Sequence, residues 1–315
     1  MRLIAIIAIM CTSAAAAAED KPAAQDKPAA QDKRAATNDV RVTQRVFDNF
    51  TQAYDGEPKM TISGTGLEDL MTMPFGTTWS GYLRGELLMY ERFGNSPLAG
   101  GGVRHDGRHH MFDGSVQGEF KRPIVDIDDT VSEATSLVAG AQYGFRPVRP
   151  LLLAASSTYR KDTFDRETLN SHTYEIGSWV RYQVAGRKFM PSLGLGSARR
   201  DSVNPGDDYS QREGFVRAQS EFSRARLSVR YRQRERDYTV PDPGVHNFGR
   251  HDVRRQLTMS AEIPIYKDLA AVAYYAQERS RSTRVGRDFR TQMFSIGLSW
   301  RVSWLQQPPE PPEVR

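Results

Sequence analysis

The stretch from Phe289 to Trp304 constrains this chain more than any other. Read alternately, Phe294, Ile296, Leu298, Trp300, Val302 and Trp304 fall on one face, and Thr291, Met293, Ser295, Gly297, Ser299, Arg301 and Ser303 on the other. Side chains alternate between faces along a strand but recur every 3.6 residues on a helix, so this pattern predicts a strand. A transmembrane β-strand needs about 9–11 residues with aromatic residues at both interfaces, and this one has both. A half-buried strand of a water-soluble sandwich alternates in the same way. The rest of the chain decides between them.

From about residue 59 onward the same rhythm returns. Trp79, Gly81, Leu83, Gly85, Leu87 and Met89 share a face, as do Phe112, Gly114, Val116, Gly118 and Phe120. Tyr174, Ile176, Ser178, Val180, Tyr182 and Val184 form another such set, and Val253, Leu257, Met259, Ala261, Ile263 and Ile265 a further one. The breaks between segments alternate in length. Tight ones fall at 147–150, 186–188, 223–225 and 266–268, and longer polar ones at 163–170, 201–208, 238–250 and 281–288. This is the hairpin rhythm of an all-β, transmembrane antiparallel barrel over 59–304. With an even strand number and a count back from Trp304, about 12 strands are expected. The Gly-rich stretch 93–107 reads as a long turn that breaks the rhythm, and 61–70 (TISGTGLEDL) reads as a turn. Residues 39–58 stay open between two readings. Val42, Val46, Phe47, Phe50 and Tyr54 have the spacing of an amphipathic helix, whereas Val40 and Val42 alternate as in a first strand.

Ahead of this lies a different text. Arg2, the apolar run Leu3 to Cys11 and the alanines to Ala18 describe a secretory signal peptide over 1–18, too short to span a bilayer. Residues 19–38 repeat Asp, Lys, Pro, Ala and Gln with no large apolar side chain, which predicts a disordered linker. Residues 305–315 (LQQPPEPPEVR) predict an extended, polyproline-like tail. Cys11 is the only cysteine of the 315 residues, so the mature chain is expected to have no thiol chemistry. A mean hydropathy of −0.58 excludes a helical membrane bundle. The formal charge of +5, on an exported chain, points to anionic lipid, lipopolysaccharide or an acidic polymer, and not to nucleic acid.

On the closing strand, the signal peptide and the hairpin rhythm, the chain resembles a Gram-negative outer-membrane β-barrel of the porin-like kind. That resemblance covers roughly 59–304 and implies an architecture, not one family. It implies residence in the bacterial outer membrane, short periplasmic turns and longer extracellular loops. It also implies contact with outer-membrane lipid and lipopolysaccharide, and assembly by the barrel-assembly machinery, which reads the terminal aromatic strand. The chain departs from the pattern at its tail, because such barrels usually stop at the terminal aromatic residue.

The face opposite the apolar one should line a lumen. Arg226, Arg230, Arg232, Arg234 and Arg236 alternate with Leu227, Val229 and Tyr231, and Arg217, Arg254, Arg279 and Arg301 are expected to join them inside. Glu213, Glu221, Glu262, Glu175 and Arg181 sit among them. A water-filled, arginine-lined pore favours anions, so the expected function is passive passage of an anionic solute or an acidic polysaccharide. If the arginines and glutamates instead pair across strands, the lumen closes. The chain is then a structural or assembly barrel that binds a partner, such as an envelope or exopolysaccharide export component. A rim lipid hydrolase is a distant third. Its candidates are His172 with Ser171, His246 and His251 with Asp252, and the pair His109 and His110, but no spacing forces a nucleophile against a base, and no G-x-S-x-G or H-E-x-x-H motif is present. His105, His109 and His110 have no metal-ligand spacing. No cofactor, metal or enzyme activity is expected.

Overall fold

The computed structural model describes residues 36–48, 60–125, 131–184, 189–222, 225–245 and 247–304. The stretch expected as signal peptide, nearly all of that expected as linker, the expected tail and His246 lie outside them. Within them the first half of the chain forms β1 (Ala36–Asp48), β2 (Ile62–Phe75), β3 (Trp79–Tyr90), β4 (Gly94–Asp106), β5 (His110–Val125), β6 (Val131–Val148) and β7 (Leu151–Phe164). The second half forms β8 (Ser171–Tyr182), β9 (Phe189–Ser202), β10 (Tyr209–Phe222), β11 (Ala225–Tyr238), β12 (His251–Tyr266), β13 (Leu269–Ser282) and β14 (Phe289–Trp304). Every strand pairs antiparallel with its sequence neighbour, and β14 returns to β1, with Ala36 opposite Trp304 and Asp48 opposite Gln292. The ring is closed, so no strand edge is left to pair with another chain.

The barrel has 14 strands and not about 12. The difference lies entirely before residue 107. The described part of the segment left open between helix and strand, up to Asp48, belongs to β1, which starts at Ala36 within the stretch expected as linker, while 49–58 lie outside the described residues. The stretch 61–70, expected as a turn, is most of β2, and the stretch 93–107, expected as a long connection, is β4 joined to β3 by a tight turn at Gly94 (φ +76°). β4 escapes a pattern reading because Gly100, Gly101 and Gly102 display no side chains to alternate. The structure gives a reason for the glycine at 102. A Cβ there would strike the Gly114 carbonyl oxygen and come within 2.6 Å of the Tyr82 hydroxyl. Tyr82 reaches over β4 through this gap and donates to Asp113 Oδ1 on β5 at 2.9 Å.

Two rims follow from the connections. One carries both strand ends Ala36 and Trp304 and the tight links after β2, β4, β6 and β12. The other carries longer loops, including 239–245 and 283–288. Outward residues are apolar along the strands, with Leu83, Ile176, Leu195, Leu227, Ile263 and Ile296 all exposed, Leu195 by 67%. Phe75, Trp79, Phe145, Tyr182, Phe222, Tyr266 and Trp300 encircle the short-turn rim. The larger part of the buried set is polar, with Thr43, Ser136, Asp162, Ser171, Thr173, Ser192, Gln211, Asp252, Ser280 and Ser295, beside a smaller apolar group that includes Ile62, Ala134, Leu152 and Phe289. Water-soluble domains do the reverse and rarely expose apolar patches beyond a few hundred Å². This barrel is built inside out.

Candidate functional site

Register decides which side chains share the lumen. On β1 the outward residues Val40, Val42 and Val46 alternate with inward Asp39, Arg41, Thr43 and Arg45. On β11 outward Leu227, Val229 and Tyr231 alternate with inward Arg226, Arg230, Arg232, Arg234 and Arg236. One irregularity redirects a charge. Between Glu119 and Arg122 the pairing slips at a bulge where Lys121 takes φ +50°, and Arg122, which strict alternation would send outward, turns inward to Asp162 at 3.8 Å.

The wall formed by β1–β7 pairs its charges. Arg45 holds Glu68 at 2.6 Å and Glu86 at 3.0 Å, and Arg84 reaches Glu86 at 3.0 Å. Arg160 holds Asp162 at 2.8 Å and Glu119 at 3.1 Å, Arg104 meets Asp113 at 2.8 Å, and Arg146 meets Asp106 at 2.9 Å. Glu68 and Glu86 stand directly opposite each other in the ladder, where like charges repel, so Arg45 is what lets them share that position. Arg45→Ala would leave Glu68 half-buried without a cation and Glu86 with Arg84 alone. A loss of about 3–5 kcal/mol is expected for one partner removed from a desolvated pair. A lowered urea midpoint in detergent micelles, partly restored by Arg45→Lys, checks it.

The wall formed by β8–β13 does not balance. Arg232 is held by Glu213 at 2.8 Å, and Arg234 and Arg254 share Glu278 at 3.0 and 3.6 Å. Arg226 lies between Glu221 at 3.4 Å and Glu262 at 3.6 Å. Arg181, Arg217, Arg230 and Arg236 have no carboxylate within 4.0 Å among the described residues. Arg217 Nε donates to Ser228 Oγ at 3.2 Å, and Arg236 Nη2 donates to Gln211 Oε1 at 3.1 Å while its guanidinium lies over the Tyr209 ring at 3.8 Å. Arg230 sits 4.3 Å over the Phe215 ring, and Arg181 lies 5.7 Å over Trp179. Stacking on an aromatic face orients a guanidinium without neutralising it.

Arg181, Arg217, Arg230, Trp179, Phe215 and Glu175 line one luminal cavity of about 290 Å³. A second cavity of about 590 Å³ lies between β1–β3 and β10–β14, lined by Arg41, Arg45, Arg84, Glu262 and Tyr274. Arg217 and Gln219 line both, so the chambers meet at those side chains.

No protein-family model and no curated protein sequence matches this chain. Among solved structures, the anion-selective porin from Comamonas acidovorans is similar with a TM-score of 0.46 at 10% identity, over 85% of this chain and 98% of that one. A bacterial polysaccharide outer membrane secretin gives 0.47 at 10% identity, over 85% and 98%. The outer membrane channel DcaP of Acinetobacter baumannii gives 0.45 at 10% identity, over 86% and 98%.

Of the arginines expected inside, Arg217, Arg226, Arg230, Arg232, Arg234 and Arg254 face the lumen together. Arg301 also faces inward, but lies at the short-turn rim with its guanidinium on Asp39 at 2.6 and 3.1 Å. Arg279 does not line the lumen. It pairs in register with Arg255 and Arg290, while its neighbour Glu278 is the residue that enters the lumen. The closing strand does face outward, with Phe294, Ile296, Leu298 and Trp300 exposed and Val302 in line with them. Trp304 takes its place in the β1–β14 ladder. The inward arginines of β1–β7 went unread, although Arg41 and Arg45 between Val40, Val42 and Val46 carried the necessary signal. The histidine pairs come apart. His172 faces outward to the Tyr159 hydroxyl at 2.7 Å, while Ser171 is buried on the other face; His251 meets Asp237 at 2.7 Å, while Asp252 points inward. His110 meets the Tyr143 hydroxyl at 2.7 Å, and His109 meets the Arg146 carbonyl at 3.2 Å.

At the loop rim one long loop is tied down. Arg250 forks onto Asp252, Nε to Oδ1 at 2.9 Å and Nη2 to Oδ2 at 2.8 Å, and donates to Asn247 Oδ1 at 2.8 Å. Asn247 Nδ2 in turn donates to the Gly206 carbonyl at 2.8 Å, tying the β11–β12 loop to the β9–β10 loop. Asp252 is fully buried, so removing its cation leaves an uncompensated charge. Arg250→Ala is expected to free the loop, seen as new proteolytic cleavage within 239–249 while the strands stay protected.

Proposed function

We propose that this chain is an outer-membrane β-barrel that lets solutes pass down their gradient, favouring anions through the luminal arginines of β8–β12. The observation that carries the reading is the contrast between the two walls. The arginines of β1–β7 are matched by carboxylates, whereas Arg181, Arg217 and Arg230 present unmatched guanidiniums to one chamber. An exposed cation in a confined aqueous lumen attracts anions and repels cations. The apolar exterior and polar interior support a membrane location, and the loop rim faces the outside. Aromatic faces beside the guanidiniums suit a carboxylate-bearing sugar or ring, which extends the reading to an acidic polysaccharide. No covalent chemistry or energy coupling is involved.

The test is the refolded full chain in a planar bilayer, with a salt gradient across it. Openings whose reversal potential lies toward the chloride equilibrium potential are expected. The ion-pair networks on Arg45 and Arg160 favour a second reading, a braced barrel closed to solutes whose loops bind an envelope partner. A folded but electrically silent barrel decides for that one.

A further inference from the structure

Arg279, excluded from the lumen, marks a site of its own. On the outer wall it stands directly between Arg255 of β12 and Arg290 of β14, giving a row of arginines on three adjacent strands. All are exposed, and Arg281, opposite Val253, lies one row further toward the loop rim. Like charges abreast in a ladder repel. Arg255, Arg279 and Arg281 have no acceptor among the described residues. Arg290 is steadied by Gln277, whose amide oxygen, turned toward it, accepts at 2.5 and 2.7 Å. The nearest outward carboxylate on β11, Glu235, stands opposite Arg212 instead.

The rows beneath explain where this one lies. Ala261, Ala273 and Ile296 form an apolar row; Met259, Tyr275 and Phe294 form the next; Leu257, Gln277 and Gln292 the next; then come the arginines. Tyr275 donates its hydroxyl to Gln292 Oε1 at 3.3 Å, an aromatic ring in the apolar layer with its polar tip pointing up. Each row advances two residues, so the arginines lie about 13 Å further along the strands than Met259 and Phe294, roughly 10 Å higher at a strand tilt of about 40°. The polarity changes from hydrocarbon to amide to cation over that rise, as it does across a membrane interface.

From this we infer that Arg255, Arg279 and Arg290 bind the phosphates of lipopolysaccharide in the outer leaflet. Guanidinium groups pair with phosphate through two parallel hydrogen bonds, and a row spanning two strand spacings, about 10 Å, can engage more than one phosphate at once. The inference rests on the proposal that the barrel spans the outer membrane with its loop rim outward.

The experiment places the full chain in phosphatidylcholine nanodiscs doped with lipid A and counts retained lipid A by native mass spectrometry. Wild type is expected to retain it, and Arg255→Gln/Arg279→Gln to lose about tenfold or more, since two of the three guanidiniums that would pair with phosphate are gone. Dephosphorylated lipid A should not be retained. Equal retention by the double variant, or of the dephosphorylated lipid, overturns the site. Phosphatidylglycerol retained as well as lipid A overturns the assignment to lipopolysaccharide. The variant's conductance should match wild type, because neither residue faces the lumen, so a silent channel that still retains lipid A counts against the channel alone. A chain that will not enter the nanodisc overturns the membrane reading and this site with it.

Discussion

Arg181→Glu, Arg217→Glu and Arg230→Glu together are expected to invert the ion preference of the barrel. These three line one chamber and hold no carboxylate, so each reversal shifts the charge of that chamber by two units and breaks no ion pair. Two unit charges about 4 Å apart interact by about 4 kcal/mol at the effective dielectric of a protein surface, so a chamber whose wall changes sign more than offsets any residual bias. The expected result is a reversal potential that moves from the chloride side to the potassium side, with single-channel conductance of the same order. Arg232→Glu/Arg234→Glu is the contrasting pair. Those guanidiniums already face Glu213 and Glu278, so their reversal should cost folding before it changes selectivity. If the triple variant keeps the wild-type preference in a folded barrel, the unmatched arginines are not the selectivity element.

Gly297→Val is expected to prevent the barrel from closing. Gly297 of β14 faces Thr43 of β1 in register, at the seam where the last strand meets the first. A Cβ there would collide with the Val42 carbonyl oxygen and lie 2.8 Å from Thr43 Cα. Both are backbone atoms of the partner strand, so no rotamer change relieves the contact and the two strands must separate. Overpacking a well-packed site costs about 1–3 kcal/mol when side chains can adjust, and more is expected here because they cannot. Loss of the compact, heat-modifiable species on electrophoresis, with little unfolding at the matched control Gly85→Val, checks it. A Cβ at Gly85, on the outer wall of β3, meets no atom within 4 Å.

The barrel was legible wherever side chains of unlike polarity alternate. β8, β12 and β14 declare themselves this way, because lipid-facing and water-facing residues select opposite chemistry at every step. β4 does not, since its glycines are there to let Tyr82 pass and leave nothing to alternate. β2 hides for a related reason: Gly64 and Gly66 occupy inward positions, and Asp69 an outward one, so its polarity contrast is weak. The arginines of β11 were readable from Leu227, Val229 and Tyr231 alone. The fate of each was not, because pairing depends on neighbouring strands whose register no single strand reveals. Arg279 shows the limit most directly. Its face is set by counting from Glu278 in a ladder with Gln256 and Thr291, and that pairing belongs to the neighbouring strands β12 and β14, not to β13 alone.

The unequal walls have a mechanical consequence. A lumen with balanced charge on one side and surplus positive charge on the other holds an electric field across the pore as well as along it. A solute carrying both an acidic and a neutral end would be turned by that field as it entered, its acidic end swinging toward β8–β12. Passage would then depend on how easily a molecule can rotate and on its width once turned. Two solutes of equal charge and mass would cross at different rates if one is rigid and the other flexible.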